Sequence, residues 1–97
     1  MSYNREEFRL HIEQNQVCGE HAFSHVKFLC EAVPKGTRRV VISMRDVDEI
    51  DSQGVAALIR MHAEMQQRGC GVRLAEVRSS VRSRLGEIGL GELFAVA

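Results

Sequence analysis

Apolar and polar residues alternate near the start of the chain: Phe8, Leu10 and Ile12 are interleaved with Arg9, His11 and Glu13. A period of two is that of a strand with one buried face. The period then lengthens, because Phe23, Val26, Leu29, Cys30 and Val33 recur every three or four positions and predict an amphipathic helix from about residue 22 to 33. The stretch "VPKGTRR", with the only proline, is a loop, and "RRVVISM" after it is an apolar run rich in β-branched residues, typical of a central strand. Helical spacing resumes over residues 53 to 68 through Val55, Leu58, Ile59, His62 and Met65, and Gly69 is a helix stop. "GVRLAEV" reads as a third strand. Ser79 or Ser80 can cap a last helix carrying Val81, Leu85 and Ile88, before "GLGELFAVA" closes the sequence. This β-α-β-α-β-α order predicts an α/β fold, a largely parallel central sheet with crossover helices packed on it. Without repeats, low-complexity tracts or Gly/Ser-rich linkers, residues 1–97 are expected to form a single domain.

Composition narrows the function classes. The 97 residues are 44% apolar and 27% charged, ordinary for a globular domain. Thirteen basic residues balance thirteen acidic ones, so no net positive charge argues for nucleic acid or an anionic membrane. Three cysteines, Cys18, Cys30 and Cys70, at irregular spacing lack the paired framework of small secreted domains and fit a reducing cytosol. No apolar run approaches the roughly 20 residues of a membrane span, and "MSYNREEF" lacks the apolar stretch of a signal peptide. A cytoplasmic domain without direct membrane insertion is expected.

The stretch "VVISMRDVDEIDSQGVAALIRMHAEMQQRGCGVRLAEVRSSVRSRLGEIGLGELF" resembles the STAS domain, the fold of bacterial anti-sigma factor antagonists and of the cytosolic tails of SulP-type sulfate/anion permeases. The resemblance spans roughly residues 38 to 94 and lies in the ordered run of apolar strand, Asp-Ser/Thr-x-Gly loop, helix, Gly-capped turn, strand and a helix ending in Gly-Leu. It implies the STAS fold. Within the family, "CGEHAFS" is similar to the Gly-x-x-Phe-Phe segment of transporter-linked domains, with Ala22 in place of the first Phe, and the N-terminal region is short. Both features favour the transporter tail over the stand-alone antagonist.

The loop "DSQG", Asp51 to Gly54, carries the chemistry. A hydroxyl leading into a helix stands where unpaired backbone N–H groups and the positive end of the helix dipole converge, so Ser52 is expected as N-cap and a phosphate would be tolerated there. Such a group adds about −1.5 to −2 charges at neutral pH, enough to expel a docked partner. The antagonist resemblance implies a phosphoacceptor directly before the glycine, but this position is Gln53, which cannot accept a phosphoryl group. The switch, if retained, has moved to Ser52. The bland alternative is that Ser52 merely caps the helix while Asp51 accepts loop N–H bonds. The expected partner-binding loop is Asp51, Ser52, Gln53, Gly54, Val55, Ala56 and Ile59, in which the apolar members form a small docking patch.

Other constellations carry less. Cys18, His21 and His25 have a C-x2-H-x3-H spacing, but a structural zinc site needs a fourth ligand, and neither Cys30 nor Glu20 is clearly placed to supply it. Asp46, Asp48, Glu49 and Asp51 could hold Mg²⁺ in principle, yet carboxylates at a strand end also serve as turn residues. His62, Met61 and Met65 read as packing residues. Arg73, Arg78, Arg82 and Arg84 make the C-terminal third locally basic, offset by Glu76, Glu87 and Glu92, a solvated face that could also complement an acidic partner. No nucleophile elbow, P-loop or dinucleotide fingerprint occurs, so no enzyme activity, metal or other cofactor is expected.

The leading expectation is therefore a non-catalytic regulatory module of a SulP-family transporter, contacting the transporter membrane domain or another protein through residues 51–59. A stand-alone antagonist that binds an anti-sigma factor kinase is the alternative, and homodimerisation is left open.

Overall fold

The computed structural model describes residues 7–87 and 95–96. Strand β1 (Glu7–His11) arises from the period-two segment and is followed by a two-residue strand, β2 (Gln16–Val17). Helix α1 (His21–Ala32) leads to β3 (Arg39–Ser43), another two-residue strand β4 (Glu49–Ile50), and helix α2 (Ser52–Gln67). Then come β5 (Gly71–Ala75), α3 (Ser79–Glu87) and β6 (Ala95–Val96). The three expected strands are β1, β3 and β5. The short β2, β4 and β6 carry too few residues for a hydrophobic period to register.

Strands β1-β3-β5-β6 form one sheet in that order, all parallel, while β2 and β4 pair separately, also in parallel. Each connection steps to the next strand in the same direction. Because crossovers between parallel strands are right-handed, a sheet wound one way receives its helices on one face. The core agrees. Val40, Ile42, Val72 and Leu74 of the sheet join Val26 and Cys30 of α1, Leu58, Met61 and Met65 of α2, and Val81 and Leu85 of α3 in one cluster. Val41, which alternation points to the opposite face, is only 5% exposed but stands outside that cluster.

Packing rotated both predicted helical stripes. In α1 the buried positions are Ala22, Val26 and Cys30, continued by Val33, while Phe23 and Leu29 are only half-buried against them. In α2 the buried arc is Gly54, Val55, Ala57, Leu58, Met61 and Met65, which leaves Ile59 40% exposed and His62 half-buried. The reason is that α2 packs against both α1 and β5, and two contact directions broaden the apolar arc and shift its centre to Met61. Gly69 ends α2 as expected, at φ +73°, with its N–H on the Gln66 carbonyl and the Cys70 N–H on the Met65 carbonyl. The predicted Ile88 of the last helix, and Gly89 to Phe94 after it, lie outside the described residues.

Leu74, fully buried in β5 between β3 and β6, tests this core. Leu74→Ala is expected to cost about 2–5 kcal/mol, read as a lower midpoint in chemical denaturation with an unchanged slope.

Candidate functional site

Asp51 organises the loop. It sits in extended backbone, φ −110° and ψ −174°, directly before α2, and its Oδ1 accepts the Gly54 N–H at 2.9 Å. Its own carbonyl accepts the first helical bond from Val55 at 2.9 Å. This is N-cap geometry, with the side chain reaching the third helical residue. Ser52, expected as the cap, is instead the first residue of the helix and exposed. The physical reason lies in the second carboxylate oxygen. Oδ2 of Asp51 accepts the Gly19 N–H at 2.9 Å, so the capping residue is also a brace to the turn that starts α1. A serine hydroxyl, with one oxygen, could not span both.

Gly19 suits that turn, with φ +68°, and its carbonyl accepts the Ala22 N–H at 3.1 Å. Helix α1 has no side-chain cap of its own. Its entry is fixed by the glycine turn and by the brace from Asp51. The "Gly-x-x-Ala-Phe" segment thus has a structural account: Ala22 is 1% exposed in the core, and the half-buried Phe23 ring lies 5.6 Å from the Arg60 guanidinium of α2.

Gly54 is required by close approach. A Cβ there would run into the Val17 carbonyl oxygen and lie 2.7 Å from the Ile50 side chain. The first turn of α2 therefore rests directly on β2, which is held beside β4 by the register Gln16 to Glu49 and Val17 to Ile50. The Asp48 N–H bonds the Asn15 carbonyl at 2.9 Å, extending that clasp. The short strands thus bring residues 15–19 and 48–54 together.

Hydrogen bonds from the Gly54 and Gly19 N–H groups stabilise the ionised carboxylate and lower the Asp51 pKa from its ordinary value. Asp46 is lowered too, mainly by its hydrogen bond with His11 at 2.7 Å. The acidic residues weighed as Mg²⁺ ligands are thus drawn apart, Asp46 to His11 and Asp51 to the glycines. Among the described residues no group of three or more His, Cys, Asp or Glu side chains could hold a metal ion. The three cysteines are free thiols, and burial pushes Cys30 up to about 11.

The expected docking patch is only partly at the surface. Ser52, Gln53, Ala56 and Ile59 are exposed, and Ser52, Ala56 and Ile59 follow one helical stripe at spacings of four and three. Val55 is 4% exposed and belongs to the core, since it lies on the arc facing the sheet.

The STAS domain family matches the chain over residues 1–97. The chain belongs to this family. Two solved structures share its fold. A sulfate transporter family protein from Wolinella succinogenes superposes with a TM-score of 0.70 at 19% identity, covering 91% of this chain and 69% of the other. The SulP transporter STAS domain from Vibrio cholerae gives a TM-score of 0.72 at 18% identity, covering 95% of this chain and 70% of that one. No curated protein matches the sequence.

Gly19 and the Val17 carbonyl are the site members that the sequence reading missed. A glycine just before an amphipathic helix was visible in "CGEHAFS", but its 32-residue separation from Asp51 leaves no local signature.

Two predictions test the loop. Gly54→Ala is expected to destabilise the STAS domain by roughly 3 kcal/mol, since the clash is with backbone that cannot step aside, or to prevent folding; urea denaturation reads either. The Asp51 pKa is lowered in the folded state, so its stabilisation is present above the ordinary carboxyl pKa and lost as pH falls through the lowered value. Asp51→Asn is therefore expected to lower stability at pH 7 and to flatten the loss of stability as pH falls below the ordinary carboxyl range, about pH 4.

Proposed function

We propose that this STAS domain is a non-catalytic regulatory module of a SulP-type anion transporter, facing the cytoplasm and docking a protein through the Asp51–Gly54 loop and the first turns of α2. The observation that carries it is the rigidly held exposed stripe. Asp51 and Gly54 fix the loop against β2 and the Gly19 turn, so Ser52, Ala56 and Ile59 are presented in one geometry. A docking surface held in place before binding costs less ordering entropy when the partner arrives. The fold likeness to the Vibrio cholerae SulP transporter domain supports the transporter setting. Among the described residues no helix is long and apolar enough to cross a membrane.

The non-catalytic reading rests on the groups present. The buried thiol of Cys30 is held protonated, and the Asp51 carboxylate is committed to two backbone amides. The stand-alone antagonist is the second reading, favoured by one observation: Ser52 is exposed at the helix N-terminus, where a phosphate is electrostatically accepted.

Calorimetry separates them. On the transporter reading, the isolated domain binds the membrane domain of a SulP transporter from its own genome in detergent. Ile59→Glu and Ser52→Asp then each weaken that binding by about tenfold or more, and anti-sigma kinases give no heat with or without ATP. A tight kinase complex that Ser52→Asp abolishes would overturn it in favour of the antagonist.

A further inference from the structure

Strand β1 is an edge of the sheet: it pairs with β3 on one side, and among the described residues no strand lies on the other. The Ile12 N–H donates to the Ser43 carbonyl at the end of β3 at 3.1 Å. Alternation along the strand then turns the N–H and C=O groups of Phe8 and Leu10 towards β3 and those of Glu7, Arg9 and His11 outwards. Each of the outward residues presents a donor and an acceptor at the open edge.

The apolar covering also stops short there. Val40 and Ile42 of β3 are buried beneath the helices, whereas Phe8 and Leu10, beside them in register, are only half-buried. Leu29 of α1 is half-buried too, and Phe28 next to it is 71% exposed, the most open large apolar side chain among the described residues. Both flank a concavity of about 290 Å³ that His11 and Ile12 border, so the apolar margin of the helix layer reaches the end of β1.

We propose that β1 pairs with β1 of a second copy of this chain, antiparallel about a two-fold axis through Arg9, so that one sheet runs through both copies. The strand is self-complementary in that register. Laid against its own reverse, Glu-Phe-Arg-Leu-His sets Phe8 opposite Leu10 and Glu7 opposite His11, whose ring Asp46 already orients at 2.7 Å. Glu7, Arg9 and His11 fall at the hydrogen-bonded positions and use every outward donor and acceptor. Phe8 and Leu10 fall at the non-hydrogen-bonded positions, where side chains on neighbouring strands come closest, and cover one another. Arg9 meets its own counterpart, the one like-charge pair. A charge in the middle of an edge strand is the usual guard against pairing, but Glu7 holds the Arg9 guanidinium at 3.1 Å within its own strand and offsets it. An axis perpendicular to the sheet keeps the helices of both copies on one side, which brings the margin of Phe28 and Leu29 towards the second copy. The self-complementary order selects a second copy over a foreign strand, which has no cause to match it. This edge shares no residue with the Asp51 loop and goes beyond the reading of that loop.

The test is sedimentation velocity of the 97-residue chain at concentrations from roughly 5 to 500 µM, a range suited to an interface below the roughly 1,200 Å² of stable complexes. The wild type is expected to pass from monomer to dimer across that range. Arg9→Pro removes an outward N–H without touching the bonds to β3, a placement that edge strands tolerate. It is expected to weaken association by about tenfold or more, with circular dichroism unchanged. Arg9→Val removes the like-charge pair and is expected to tighten association by about threefold, while Ile59→Glu, on the exposed stripe of α2, is expected to associate as the wild type does. A wild type that stays monomeric throughout overturns the proposal, as does a dimer that Arg9→Pro leaves intact or that Ile59→Glu disrupts. Should Arg9→Pro not fold, association of Arg9→Val no tighter than that of the wild type overturns the proposal by itself.

Discussion

The carboxylate of Asp51 joins two pieces of chain 32 residues apart through two 2.9 Å hydrogen bonds to backbone N–H groups. One oxygen supplies the N-terminus of α2 with a partner that the helix itself cannot offer, and the other fixes the turn from which α1 begins. The two helices also pack on one another, so a single residue sets where both start. Such a double role requires the first turn of α2 to lie almost on top of β2, and Gly54 permits that approach by having no side chain.

From that clasp the rest of the architecture follows in order. Strands β2 and β4 hold the loop, α1 and α2 lie over the sheet, and their buried arcs meet Val40, Ile42, Val72 and Leu74. The direction of winding gives the molecule two unlike surfaces. One is a helix layer that ends in the exposed stripe of Ser52, Ala56 and Ile59; the other is a sheet face with arginines around Val41. On that face the arginines are interleaved with carboxylates, Glu7 beside Arg9 and Arg39, Glu76 on Ser43 and Asp46 on His11. Whole-chain charge excludes a broad electrostatic field but says nothing of how opposite charges are sorted between two sides of a sheet.

Most of the secondary structure was legible, because long amphipathic segments repeat their signal many times. Helix α2 and strands β3 and β5 lie within a residue or two of the expected spans, and Gly69 ends its helix through left-handed backbone as glycine does. The faces were less legible. Ile59 scored as apolar and was placed in the stripe, yet contacts to both α1 and β5 centre the arc on Met61 and leave Ile59 at the surface. For the same reason Val55, counted in the docking patch, belongs to the core. Hydropathy records that a residue is apolar, not which of two neighbours the helix will turn towards.

Read alone, the sequence determined the α/β class, the single run of alternating elements and the position of an Asp-Ser-x-Gly loop at a strand-to-helix junction, since each rests on local periodicity or on residues within a few positions of one another. Tertiary structure decided which residue caps α2. Serine and aspartate are equally good caps by propensity, and only the Gly19 amide, brought close by the pairing of β2 with β4, needs the second oxygen that aspartate provides. It also decided why the glycine is there. Gly54 has no left-handed backbone to explain it, and the carbonyl of Val17 that excludes a side chain is 37 residues away. Contacts between distant segments leave no period in the chain, so they become visible only when the fold brings the segments together.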